Sequence, residues 1–207
     1  MPQIQQRTYI ILTAFLLLIL AATACSSEPE AEPSVTSDKG NYETCEGFIT
    51  PDHVESQSGT TGLIDRVHVL DVALIPGLAD SGAINNCLIE VFRTLDGTDS
   101  PMAGDSVTLS LVRFDTAELA KSLYNSTLAS AILTAEQVGD LAEIQQEVVG
   151  KDSYLMDVNA GGIGAIVVFV FDSTFVSMSS TADDESNALL DGQGLVNAAQ
   201  GVQSRLP

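Results

Sequence analysis

The chain opens with an apolar segment that ends in a cysteine, and this segment decides both the compartment and the residues that remain to fold. Residues 9–24 carry no charge, Arg7 precedes them, and small residues at 22–24 lead into Cys25. A positive start, an apolar run and small residues before a break are typical of a secretory signal with its cleavage site. We therefore expect residues 1–24 to be a signal peptide and the rest to fold outside the cytoplasm.

The same segment resembles the signal of bacterial lipoproteins. In those proteins a cysteine after a small-residue box receives diacylglycerol on its sulfur, and the chain is then cut before it. The resemblance implies that Cys25 is lipidated after lipoprotein-processing enzymes recognise it, and that its acyl chains hold the protein at the membrane. Ala22 stands where these signals usually have Leu. The alternative is an uncleaved anchor, because about 17 apolar residues are the lower limit for spanning a bilayer.

A polar stretch follows Cys25 and continues to residue 41. Between 26 and 41 the sequence SSEPEAEPSVTSDKGN has two Pro, four acidic residues and almost nothing apolar. Such a segment cannot bury enough apolar surface to fold. We predict that residues 25–41 form a lipidated cysteine with an acidic flexible tether, which as a coil would span roughly 20 to 25 Å.

The charge balance narrows the range of partners. Asp and Glu number 28 against eight Lys and Arg, a formal net charge of −20, and removal of Arg7 with the signal would make it −21. A charge of this size repels nucleic acid and anionic lipid headgroups. We therefore expect no nucleic-acid partner and a cationic or neutral one.

The sequence has three cysteines, and two of them remain to form a pair if Cys25 carries the lipid. Cys45 and Cys87 then remain in an exported chain, where oxidising conditions favour a disulfide. Closing a loop of about 43 residues would stabilise the fold by roughly 4 kcal/mol. A metal site or a reactive thiol are alternatives, but the sequence has no CxxC to support either.

Residues 42–207 are enough for one ordinary domain. A short helix is predicted after Thr50, with Pro51 in its first position and Gly59 at its end. Alternation of Val and Leu with Ser and Thr in residues 106–114 predicts a strand with one dry and one wet face. Further strands are predicted at 63–75, 87–93, 154–158, 163–171 and 174–180, and helices at 116–132, near 136–143 and after the acidic cluster at 183–185.

This order of elements predicts an α+β fold with a mainly antiparallel sheet and helices packed on one face. Strands followed by a helix occur twice, so we expect two loosely repeated strand-strand-helix halves. The segment AIVVFVF at 165–171 is apolar at every position. It should therefore be a central strand, buried on both sides by the domain itself or on one side by a ligand or partner.

No catalytic constellation is evident in the sequence. GxSxG, HExxH, Walker and SxxK motifs are missing, and His53 and His68 are the only histidines. We expect His53 to be an exposed surface residue and His68 a strand residue that is half-buried or faces solvent. The glycines at 161–164 precede a strand, unlike a dinucleotide fingerprint, and the Asp residues between 96 and 105 lack EF-hand spacing. We therefore expect no catalytic residue, cofactor or metal.

Short pieces of the chain resemble small lipoproteins of actinobacteria and similar bacteria. These pieces are Cys25 with its tether, Cys45, FITPDHV at 48–54 with Gly59, and CLI at 87–89. In those families a first cysteine precedes an apolar-Thr-Pro-x-x-Val helix and a second cysteine opens a strand. The resemblance implies an α+β domain on the outer side of a membrane and supplies no catalytic residues.

The function expected from these features is a membrane-anchored, extracytoplasmic, non-catalytic binding or interaction module of the cell envelope. Its partner would be an envelope protein or a small ligand. A small envelope hydrolase with an unrecognised active site, or a small solute-binding lipoprotein, are the alternatives. A deep apolar pocket would favour a carried ligand, whereas a flat polar surface would favour a protein partner.

Overall fold

The computed structural model describes residues 39–75, 77–94, 101–158, 164–181 and 188–207, without the side chains of 101–105. These residues belong to one compact unit, Thr36–Pro207. Cys25, residues 26–38 of the tether, Gly161 and Gly162, Asp96 and Asp99, the side chain of Asp105 and the acidic cluster at 183–185 lie outside what is described.

In chain order the described residues form helix α1 (Pro51–Ser58), strands β1 (Leu63–Leu70), β2 (Ala83–Thr94) and β3 (Pro101–Phe114), helix α2 (Ala117–Val138), strands β4 (Ala142–Gln146), β5 (Ser153–Val158), β6 (Ala165–Phe171) and β7 (Thr174–Thr181), and helix α3 (Gly192–Arg205). Short 3-10 turns occupy Val72–Leu74, Ala79–Ser81 and Gly139–Leu141. Among these helices there is none of sufficient length and apolarity to cross a membrane.

Helix α1 begins and ends where the sequence predicts. The backbone N–H of Thr50 donates to Nδ1 of His53 over 3.1 Å, and Pro51 takes the first helical position. Gly59 ends the helix in the left-handed conformation at φ 69°, where its N–H donates to the carbonyl of Glu55. The polar signals at both ends therefore fix this element locally.

The seven described strands make one antiparallel sheet in the order β1-β2-β3-β7-β6-β5-β4. The α+β class and the mainly antiparallel sheet are confirmed. Each half contributes three consecutive antiparallel strands before a helix, β1 to β3 and β5 to β7, and the halves meet where β3 pairs with β7.

Helices cover both faces of the sheet, so the prediction that they pack on one face is wrong. On the first face, α1 and α3 pack over a core that includes Val167 and Phe169. On the second face, α2 packs over a core that includes Val168. The physical reason lies in β6, which presents apolar side chains to both faces and therefore needs cover on each. The domain itself therefore covers β6 on both sides, and the alternative in which a ligand or partner covers one side is not needed.

Two boundaries differ from the sequence predictions. Helix α2 continues to Val138, and the helical turn expected near 136–143 is instead a 3-10 turn followed by the edge strand β4. Helix α3 begins at Gly192 and not directly after the acidic cluster, because Oδ1 of Asp191 caps it by accepting from the N–H of Gly194 over 2.7 Å. A single capping side chain thus sets the helix start.

Candidate functional site

The segment before α1 is fastened to the domain by a disulfide and by polar contacts. Cys45 and Cys87 are bonded with an S–S distance of 2.01 Å, which is the pairing that the sequence predicts. Nδ2 of Asn85 donates to the carbonyl of Tyr42 over 2.6 Å. Nearer the tether, Nζ of Lys39 donates to the carbonyl of Leu206 over 2.7 Å. The described chain therefore starts beside the end of α3.

The two histidines lie on different elements of the fold. His68 is on β1, where Nε2 lies 3.9 Å from a carboxylate oxygen of Glu90. His53 is half-buried in the first turn of α1 and not exposed as the sequence suggests. Within the described residues, no group of three or more His, Cys, Asp and Glu side chains could hold a metal ion.

Part of the second sheet face remains accessible beside the region that α2 covers. We call it the open face. Its members are half-buried and lie in register across four neighbouring strands: Arg66 and His68 on β1, Glu90 on β2, Ser106, Thr108 and Ser110 on β3, and Ser177, Ser179 and Thr181 on β7. The wet side predicted for residues 106–114 is thus part of a larger hydroxyl-bearing surface.

The open face is electrically almost neutral. Its single carboxylate, Glu90, lies 4.0 Å from Nη1 of Arg66 and 3.9 Å from His68. The guanidinium of Arg66 also lies over the ring of Phe92, 5.2 Å from its centroid. The remaining polar members are hydroxyl groups, and the half-buried Leu88 lies on the same face between His68 and Ser110. On a chain with a formal net charge of −20, this surface is therefore low in charge, as the centres of protein interfaces are.

A second polar feature is a groove of about 210 Å³ between α1 and α3. We call it the α1–α3 groove. Arg205 lies at one side of it, where Nη1 donates to the carbonyl of Phe48 over 3.2 Å. The residues that line it are Ile49, His53, Ser56, Gln57, Asn197, Ala198, Gly201 and Arg205. Hydrogen-bond donors dominate this lining and acidic side chains are missing from it.

Burial lowers the pKa of both ionisable groups in the groove. Desolvation lowers the pKa of His53, the charge of Arg205 lowers it further, and Asp52 opposes both effects. Desolvation also lowers the pKa of Arg205, although a guanidinium stays charged in proteins. Since Nδ1 of His53 accepts the Thr50 N–H, the neutral ring carries its proton on Nε2. The groove thus combines one fixed positive charge with neutral donors.

Comparisons with known proteins give a distant likeness among solved structures. No protein-family model matches the chain, and a search of curated proteins finds no match. Among solved structures, the extracellular domain of PknH from Mycobacterium tuberculosis is similar over 76% of this chain and 91% of that chain, with 13% sequence identity and a TM-score of 0.46. A likeness at this level does not extend to function.

Sequence reasoning missed Arg205 as a member of a site. It is one of only eight basic residues and lies four positions after Gly201, on the same side of a helix. A glycine one turn before an arginine leaves space for the guanidinium against the helix. That spacing was the available signal, but its partner His53 could be found only from the fold.

Proposed function

We propose that this protein is a membrane-anchored extracytoplasmic lipoprotein that acts as a non-catalytic interaction module of the cell envelope. Cys25 would carry the lipid and the acidic tether would hold the domain near the membrane. A buried disulfide between Cys45 and Cys87 supports an oxidising compartment. Together these features favour a domain that is exported and kept at a surface to meet a partner.

The observation that carries the interaction role is the open face. Interface centres are depleted of charge, because a charged group loses its hydration there. The row Arg66, Glu90, Thr108 and Ser179 crosses four strands with one compensated ion pair and two hydroxyls. Glu90 is the single carboxylate among the members of the open face, although the chain has 28 acidic side chains. This low charge favours a protein partner with a flat and largely neutral surface.

The dimensions indicate what the open face can contribute. Strand spacing and rise give it roughly 14 Å by 14 Å, or about 200 Å². A standard interface buries about 800 Å² on each partner. The open face would therefore form the centre of an interface whose rim lies on surrounding residues.

The experiment is capture of envelope proteins by the lipidated full chain, with a carboxylate introduced at the centre of the open face. Thr108→Glu sets a second negative charge beside Glu90 and Ser179, so we expect the recovered partner to fall roughly tenfold or more. Gln146→Glu is the matched control, because it adds the same charge at an exposed position on β4. The control should capture as wild type does.

A different result would favour an enzyme. The same preparations are tested against ester, peptide and glycoside substrates. Turnover that is lost on replacement of one Ser or acidic residue, with no stable partner recovered, contradicts the interaction module. Equal capture by Thr108→Glu and Gln146→Glu removes the open face from the proposal.

A further inference from the structure

The α1–α3 groove holds a positive charge that the described protein does not neutralise. Arg205 makes no ion pair within the described residues, and its hydrogen bond goes to an uncharged carbonyl, that of Phe48. The chain has 28 acidic side chains, yet the groove lining includes none. The guanidinium is partly desolvated and no carboxylate of the described residues engages it, so an anion that fits the groove would be stabilised there.

We propose that the α1–α3 groove binds a small monocarboxylate, such as an acylated amino acid or the carboxyl end of a peptide. This site is separate from the open face and lies on the other side of the sheet. It does not depend on the function proposed above.

The charge and size of the groove select this class of ligand. One guanidinium balances one carboxylate and can hold it through two parallel N–H donors. A phosphate dianion would bring a second charge that nothing in the groove offsets, and the net charge of −20 would repel a dianion more strongly than a monocarboxylate. The volume of about 210 Å³ is below that of pockets for drug-sized ligands, so it suits the end of a chain.

Neutral groups would orient the rest of the ligand. Gln57 and Asn197 are exposed amides on opposite sides of the groove, and each can donate or accept. Oδ1 of Asn197 already accepts from Gln193 over 3.0 Å, which holds the side chain in place. An amide or acyl group next to the bound carboxylate would therefore find hydrogen-bond partners.

Gly201 lies beside the guanidinium of Arg205 in the lining of the groove. A Cβ at this position would lie 3.4 Å from Nη1 of Arg205 and 3.9 Å from Nη2. Glycine weakens a helix interior, so a residue with a side chain would serve helix stability better. A methyl at this position would be in ordinary contact with the guanidinium and would narrow the groove there.

The test uses the full chain in detergent micelles, labelled with 13C at the ring Cε1 of histidine. The chain has two histidines, so His53 reports on the groove and His68 is an internal control. N-acetylglycine should shift the His53 signal saturably and leave His68 unmoved. N-acetylglycinamide, which lacks the charge, should shift neither. Inorganic phosphate should bind more weakly than N-acetylglycine.

Variants separate binding from folding. Arg205→Gln should abolish the saturable shift, but it also removes the bond to Phe48. Gln57→Glu changes only an exposed side chain and adds a repelling charge to the groove, so affinity should fall roughly threefold or more. Gln146→Glu adds the same charge on β4 and should bind as wild type does. Equal shifts with the acid and the amide, no saturable shift, or wild-type affinity in Gln57→Glu would each overturn the proposal.

Discussion

Removal of the Cys45–Cys87 disulfide should cost the domain a large share of its stability. Both half-cystines are fully buried, and they are separated by 42 positions in the sequence. A closed loop of this length restricts the unfolded chain by about 4 kcal/mol on the loop-entropy relation. We therefore expect the double variant Cys45→Ala/Cys87→Ala to lose about 4 kcal/mol of unfolding free energy.

The loss should arise in the unfolded state, because other contacts hold the same segment in the folded one. The hydroxyl of Tyr42 lies 2.6 Å from that of Thr174, and the Tyr42 carbonyl accepts from Asn85 over 2.6 Å. Phe48 is fully buried and packs its ring against Tyr42 at 5.0 Å between centroids. The native position of the segment should survive without the sulfur bridge.

Urea and thermal unfolding of the chain from Thr36 onward measure the effect. For a domain of this size, 4 kcal/mol corresponds to a fall in Tm of roughly 8 to 16 °C. The dependence of unfolding free energy on urea should become steeper, since the uncrosslinked unfolded chain exposes more surface. Reduced wild type should match the double variant. A loss below about 1 kcal/mol with an unchanged slope would refute the loop-entropy reasoning.

Three further outcomes are expected. Cys25→Ser should abolish lipid attachment, and mass analysis of the membrane fraction should find no acylated form; unchanged mass and fractionation with residues 1–24 retained would indicate a plain anchor. Gly40→Ala should cost about 1 to 3 kcal/mol of unfolding free energy, measured in urea, because its methyl would overlap the buried ring of Phe48; a wild-type midpoint would contradict this. Burial raises the pKa of Tyr154 to about 12 from 10.0, so its contribution to stability is complete below pH 10 and is lost as the pH rises from 10 to 12. Tyr154→Phe should remove that part of the alkaline loss, and an identical pH profile would show that burial of this phenol does not matter.

Local patterns carried the fold predictions that succeeded. Thr50, Pro51 and Gly59 specify α1 through contacts within one short segment. The alternation in residues 106–111 specifies a strand because its apolar members, Val107, Leu109 and Leu111, are all buried on one face. Such signals act between near neighbours, so the sequence contains them in full.

The predictions that failed depend on contacts between distant residues. Strand β4 reads AEIQQ and has one strongly apolar residue, Ile144, so only its pairing with β5 makes it a strand. The choice of faces for the helices depends on which side of β6 each helix meets. Neither the strand at β4 nor the choice of faces can be read from the spacing of apolar residues within one segment.

The candidate sites show the same division. The wet side of β3 follows from alternation, but its extension to Ser177 and Ser179 requires the pairing of β3 with β7, which are far apart in the chain. Arg205 and His53 meet only because α3 packs beside α1. The sequence alone identifies the residue types, but the fold decides which of them come together.

The point at which the tether joins the domain bears on which surface can meet a partner. Lys39 and Gly40 are bonded to the end of α3, through the carbonyls of Leu206 and Arg205. Helix α3 packs on the first face of the sheet, whereas the open face is on the second. Residues 39 and 40 are therefore bonded to a helix of the first face, whereas the residues of the open face lie on the other side of the sheet.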